Sequence, residues 1–391
     1  MTPRRIDVTQ RRARLALRHR LAGPPAHDPV EVTRDLVVLH ATDAATVYLS
    51  AAARLHAPAI ADVERALYED RALVRMLGMR RTMFVVPAEH APVVQAACTD
   101  AIAVTQRKLL LKHLAEAGHG DDAWLRDVEA ETLKALAARG SATAQQLSTD
   151  VPRLRSKLSL AEGKPYASTG TITNRVLNLL SMQGLIVRGR PRGSWQSTQY
   201  HWSPADAWIA GGLHRETAPA ARVELARLWL SRFGPGTPAD LKWWTGWTAA
   251  QVKAALSALD TEPVDLDGQP GVVLAGDADP VPEPEPWVAL LPALDPTVMG
   301  WVARDWYLGP HAAALFDRSG NPGPTVWADG RIVGGWVQRA DGRVAFRLLE
   351  QVPATTRKRV AAAAADLEEW LGDARVVPKF RTPLERELSQ E

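Results

Sequence analysis

The chain has 391 residues, 46% apolar and 23% charged, with a formal net charge of +3. That length holds several units of ordinary domain size with ample core, and the composition excludes a disordered or fibrous chain. The single cysteine, Cys98, excludes an internal disulfide and a cysteine zinc site, and it suits a reducing cytosol.

The first twenty residues hold seven arginines and one acid. They are too basic for a secretory signal, and they lack its apolar core. No apolar run is long enough to cross a bilayer. A cytoplasmic, nucleoid-associated protein with no membrane partner is therefore expected. Residues 260–286 hold eight acids and no base. This asymmetry points to a polyanion at the basic end, met by Arg4, Arg5, Arg11 and Arg12. Thr9 is placed to cap a first helix carrying Leu15, Ala16 and Leu17, which the Gly23-Pro24-Pro25 cluster breaks. A short helix is predicted over residues 30–36.

The stretch 39–55 follows. A short apolar run ends in His40; then come Thr42 and Asp43, then an Ala-rich helix carrying Val47, Leu49 and Leu55. A histidine, a hydroxyl and a carboxylate thus fall within four residues at the start of a helix. Asp43 can cap that helix by accepting from a free backbone N–H. All three are capping and loop residues, or His40 and Asp43 position and activate a water. Spacing alone favours the first reading. Another helix carries Val63, Ala66 and Leu67. Residues 80–87, from Arg80 and Arg81 to Pro87, are β-prone and predict a strand. Three helices and a basic strand are the order of a winged helix, or of a small helical domain with a β edge. A connecting or core helix is predicted over 91–117, stopped by Gly118-His119-Gly120. Residues 1–121 are read as one unit.

Residues 122–210 form the second. One helix carries Trp124, Leu125, Val128, Leu133 and Leu136. Thr143 and Gln146 form a capping box that opens a second. A basic loop follows with Arg153, Arg155, Lys157 and Lys164. A third helix over 171–183 is closed by Gly184. Then come a strand, a turn and a second strand, carrying Arg188, Arg190, Arg192, Trp195, Tyr200 and Trp202. Arginines interleaved with aromatics suit backbone contact and stacking on nucleic acid. A plain solvated hairpin stays open, but no acid interrupts the run.

Residues 211–276 repeat that plan. Gly140-x-x-Thr143-x-x-x-Leu147 recurs as Gly234-x-x-Thr237-x-x-x-Leu241. Helices are predicted over 220–233, 238–244 and 249–259, the last opened by a capping box of Thr248 and Gln251. Strands over 264–266 and 272–274 make an acidic hairpin, a poor DNA contact. Trp243, Trp244 and Trp247 are expected in the core. Residues 277–391 begin with a Pro-rich acidic linker and turn to strands. Asp329-Gly330 and Asp341-Gly342 are hairpin turns joining a meander. A helix over 355–371 and a mixed-charge tail end the chain. The fold class expected is α+β, mainly α with β: tandem winged helices, then a β-rich region. Neither a P-loop nor a G-x-S-x-G elbow occurs.

Several stretches together resemble the bacterial winged-helix family of the AlkZ and YcaQ DNA glycosylases, over nearly the whole chain. They are Val38-Leu39-His40-Ala41-Thr42-Asp43 before a helix with Tyr48 and Arg54, and Met79-Arg80-Arg81-Thr82 leading into Phe84-Val85-Val86-Pro87. Further on come Trp243-Trp244-Thr245-Gly246-Trp247, Leu290-Leu291-Pro292-x-Leu294-Asp295-Pro296 and Pro324-Thr325-Val326-Trp327-x-Asp329-Gly330. The resemblance implies tandem winged helices on a concave DNA-binding surface. It also implies a monofunctional glycosylase excising bulky or crosslinking N7-alkylated purines, acting as a monomer on double-stranded DNA without metal or cofactor. The relatives carry Gln-x-Gln or Gln-x-Asp where this chain has His40-Ala41-Thr42. A glutamine orients a water; a histidine can also take its proton, and the Thr42 hydroxyl adds a second water ligand. His40, Thr42 and Asp43 are therefore the candidate catalytic residues. The competing reading is a non-catalytic DNA-binding protein, either a regulator or one that shields lesions. The chain offers no zipper or dimerisation helix for a regulator.

Overall fold

A computed structural model describes residues 3–160 and 168–391. It is a mixed α and β protein whose chain divides into two compact units. One joins the N-terminal segment up to Glu64 to Val223–Glu391; the other is the continuous segment Arg65–Arg222.

In the first unit, helix Val8–Arg18 is capped by Asp7, whose side chain accepts from the Gln10 N–H. The expected cap, Thr9, sits inside the helix, because the carboxylate two residues earlier already serves the free N–H groups. Helices Pro29–Asp35 and Ala44–Ala52 follow, capped by Asp28 and Asp43. After Val223 come helices Pro238–Thr245 and Ala249–Ser257, each opened by a complete capping box. Strands Thr261–Leu266 and Gln269–Leu274 make an antiparallel hairpin. Asp267 and Gly268 at its tip both have positive φ, as a tight two-residue turn requires. Arg4–Arg5 adds to this hairpin as a parallel third strand beside Val264 and Asp265. The N-terminal bases thereby lie against the acidic segment. Trp244 and Trp247 are buried as expected, and Trp243 lies half-buried with the Arg304 guanidinium 4.6 Å from its ring centre.

The C-terminal part of this unit is a four-stranded antiparallel meander, Val288–Leu291, Thr325–Ala328, Arg331–Gln338 and Val344–Leu348. The helix Ala354–Leu371 packs on it. A further helix, Pro383–Leu388, forms where only a mixed-charge tail was expected. Its signal was present: Thr382 and Glu385 form a capping box, with proline at the first helical position.

In the second unit, strands Met83–Pro87, Leu73–Leu77, Ile186–Pro191, Tyr200–Pro204 and Ala142–Thr143 make an antiparallel sheet in that order. Arg80 and Arg81 lie in the turn between the first two strands and not on a strand. Both have left-handed φ, +52° and +58°, and Met83 starts the pairing. Helices Asp122–Arg139, Ala144–Asp150 and Thr173–Met182 pack on the sheet. Their core joins Leu125, Leu147, Val176, Leu180, Ile186 and Trp202. Each such side chain contributes roughly 1.5–3 kcal/mol by leaving water. Residues 122–204 thus run three helices and an antiparallel hairpin, and residues 218–274 repeat that order. Part of the expected basic loop is an antiparallel ribbon, Lys157–Leu160 with Ser168–Thr171, while Arg153 and Arg155 lie in a turn before it. Lys164 lies outside the described residues.

Candidate active site and nucleic-acid interface

His40 ends the short apolar run and is buried, 6% exposed. Its Nδ1 accepts weakly from the Thr42 N–H at 3.5 Å. Thr42 and Asp43 are half-buried. The Asp43 carboxylate accepts from Ala45 N–H at 3.1 Å, as a cap should, and from Lys379 N–H at 3.2 Å. A carboxylate has about four acceptor positions, so two remain for a water or a donor. The pocket beside Asp43, lined with Thr46, Ala293, Trp336 and Pro378, encloses about 10 Å³. That is room for a single water and none for a purine.

The helix that Asp43 caps is held from its other end by a buried cluster. Arg54 and Asp295 are wholly buried and pair through two bonds, Nη2 to Oδ1 at 2.8 Å and Nη1 to Oδ2 at 3.0 Å. Ser50 Oγ donates to Asp295 at 2.7 Å, and Thr46 Oγ1 donates to the Ala293 carbonyl at 2.9 Å. Burial by itself would raise the Asp295 carboxyl, but Arg54 and the hydrogen bonds outweigh it, so its pKa lies below the ordinary range. Arg54 also donates to the His19 carbonyl and to Thr297 Oγ1, each at 2.8 Å. Thr297 Oγ1 lies 2.9 Å from His19 Nδ1, and His19 Nε2 lies 3.2 Å from the Arg232 carbonyl. A carbonyl only accepts, so Nε2 carries the proton and Nδ1 accepts. Burial, and then the nearby Arg54 charge, push the His19 pKa down to about 3. Arg54 and Asp295 stood in two separate stretches of the resemblance, and nothing in the sequence showed that they pair, because they lie 241 residues apart.

The candidate DNA contacts divide by what already holds them. Arg4 pairs with Asp279 at 2.5 Å and Arg5 with Asp267 at 2.8 Å. Arg11 lies over the Trp306 ring, its pKa lowered to about 10 by burial, and Arg12 donates to the Trp306 carbonyl. Arg153 pairs with Glu131 at 2.6 Å and Arg190 with Glu69 at 2.9 Å. Arg155 donates to the Ser148 carbonyl. Lys157, Arg81 and Arg192 are exposed, Arg80 and Trp195 half-buried. Arg188 donates to Asn178 Oδ1 at 2.9 Å, with its guanidinium 5.6 Å and 5.3 Å from the ring centres of Tyr200 and Trp202. Sequence reasoning singled out neither Asn178, which accepts from Arg188, nor its helix neighbour Arg175. Their signal was only that they fall three apart on one face of helix Thr173–Met182.

No curated protein matches the chain in sequence. Among solved structures it is similar to the DNA glycosylase AlkZ of Streptomyces sahachiroi, with a TM-score of 0.74 and 20% identity over 95% of this chain and 98% of that one, a likeness of fold. A family model described as DNA glycosylase AlkZ-like matches residues 33–370, from before the His40 stretch to the helix that packs on the meander, and the chain therefore belongs to the AlkZ-like DNA glycosylases.

Proposed function

We propose that this glycosylase is monofunctional and hydrolyses the N-glycosidic bond of bulky or crosslinking N7-alkylated purines in double-stranded DNA. Membership of the family carries the reaction type. The observation that carries the site is the Asp43 carboxylate, fixed at the start of one helix three residues after His40, with acceptor capacity left. N7 alkylation makes the purine cationic, so its bond to C1′ is already weak. Water adds to C1′ as the base leaves with the bonding electron pair. His40 orients that water and takes its proton at Nδ1, giving up the weak bond from the Thr42 N–H, and Thr42 Oγ supplies a second contact. Asp43 offsets the positive charge that develops on the sugar.

The protein works as a monomer, without a cofactor, on DNA of the cytoplasmic nucleoid. The segments 122–204 and 218–274 act as winged helices, within units bounded at about residues 121, 210 and 276. The backbone is gripped by the basic hairpin and the turns before it, with Arg80, Arg81, Arg155, Lys157, Arg188, Arg192 and Trp195 facing the phosphates and sugars. Incubating the protein with duplex DNA containing N7-methylguanine, and measuring free base, tests this reading. Time-dependent release is expected. Binding without release would assign the chain to lesion shielding instead.

A further inference from the structure

Within the segment Arg65–Arg222, several arginines are neutralised by carboxylates of the same unit: Arg107 by Glu129, Arg139 by Asp150, Arg153 by Glu131 and Arg190 by Glu69. Arg81, Arg175 and Arg192 make no side-chain hydrogen bond or ion pair to any described residue. Among the described residues, Arg188 bonds only the Asn178 amide oxygen and otherwise lies against aromatic rings. A guanidinium has five N–H groups, so most of the donors of Arg188 lack an acceptor among the described residues. Burial pushes its pKa below the ordinary value, and the Arg75 guanidinium pushes the same way. Arg75 lies 5.1 Å from the same Tyr200 ring and donates to its hydroxyl at 3.1 Å.

Arg81, Arg175, Arg188 and Arg192 meet at two pockets. One, of about 480 Å³, is lined by Arg188, Arg192, Asn174, Asn178, Gln145 and Tyr200. The other, of about 320 Å³, is lined by Arg81, Arg175, Arg188, Asn178 and Gln106 beside apolar residues. Arg188 and Asn178 line both and so form the wall between them. Among the described residues, no aspartate or glutamate lines either pocket. With Oδ1 of Asn178 turned to Arg188, its amide N–H groups are left as donors.

We infer that these pockets form a clamp for successive phosphates of one DNA strand, with the Arg188–Asn178 pair between two phosphates, Arg192 on one side and Arg81 and Arg175 on the other. The clamp rests on the reading of the protein as a DNA binder, and not on the chemistry at His40. It reads no sequence, since guanidinium and amide donors on phosphate carry none.

The test uses the full chain and a short undamaged duplex, with affinity followed against salt. For Arg188→Met, and separately for Arg175→Gln, the slope of log affinity on log salt should fall by about 0.9 for each phosphate that is no longer neutralised. Arg139→Gln, whose arginine is held by Asp150, should leave it unchanged. Because no described carboxylate pairs with Arg188, Arg188→Met should melt no lower than the wild type. Unchanged slopes for Arg188→Met and Arg175→Gln overturn the clamp. So does a lower melting point for Arg188→Met with an unchanged slope for Arg175→Gln, which makes Arg188 a structural residue. Tighter binding to duplex RNA of the same sequence overturns the assignment to DNA. A wild type that binds no duplex removes the DNA reading as a whole. A wild type that binds but releases no base leaves the clamp standing and removes only the proposed reaction.

Discussion

His40 and Asp43 differ in how the protein holds them, and that difference sets what each substitution should do. A group that activates water acts mostly in the transition state. His40→Ala should therefore cut base release from N7-methylguanine DNA by on the order of a hundred- to ten-thousand-fold, with duplex affinity nearly unchanged. His40→Gln should recover part of the rate, since an amide still orients a water. Equal rates for His40→Ala and wild type would reduce the stretch to the start of a helix. Asp43 also caps that helix, so Asp43→Asn has to be read for melting temperature beside rate; loss of a cap costs about 1 kcal/mol. His19 gives a separate prediction in pH. Its folded pKa of about 3 lies below the unfolded value near 6.5, so between these values the unfolded chain binds the extra proton. The neutral imidazole then contributes stability that is complete above pH 6.5 and lost progressively down to pH 3, on the order of a few kcal/mol in all. Urea midpoints of wild type and His19→Gln should diverge least at the acid end of that window. A constant gap between them would show that His19 does not titrate with unfolding.

Between residue and molecule, the Arg54–Asp295 pair fastens the helix Ala44–Ala52 to the segment that follows strand Val288–Leu291. Removing one partner leaves the other buried and unpaired. Asp295→Ala should cost about 3–5 kcal/mol, whereas Arg54→Met with Asp295→Leu together should cost much less. Denaturant unfolding of both variants measures the difference; additive losses would mean the two side chains do not act as a pair. Among the helices, capping boxes at Thr143, Thr237, Thr248 and Thr382 set where each begins. Thr143→Ala should destabilise by about 1 kcal/mol, read in the same experiment.

At the scale of the whole molecule, the net charge of +3 conceals an internal exchange. The basic N-terminal segment pairs with the acidic hairpin and the residues just after it, with Arg4 and Arg5 on Asp279 and Asp267 and with Arg14 and Arg18 on Asp277. The exposed pairs of Arg4 and Arg5 contribute little, while Arg14 is buried against Asp277; all of them use charge that composition alone assigns to a polyanion. The segment Arg65–Arg222 has a hydrophobic core drawn from its own residues. Expressed by itself it should unfold in one cooperative transition, followed by circular dichroism against temperature. A broad, non-cooperative melt would mean that it depends on the rest of the chain.

Local signals in the sequence determined most of the elements. Capping boxes, Asp-Gly turns and helical periodicity act over a few residues, so Thr143, Thr248, Gly184 and Asp329-Gly330 could be read correctly without a partner in view. The Asp43 cap was legible for the same reason. Where two local signals competed, reading failed: β-propensity around Arg80 and Arg81 concealed a left-handed turn, and the capping box at Thr382 was hidden by the mixed charge around it. The tertiary structure alone decided which charges are spent. Whether an arginine faces a carboxylate depends on chain segments brought together from far apart, and no spacing rule reports that. Arg5 met Asp267 across 262 residues and Arg190 met Glu69 across 121, while Arg188, nearly identical to Arg190 in its sequence surroundings, was left with an amide and two rings.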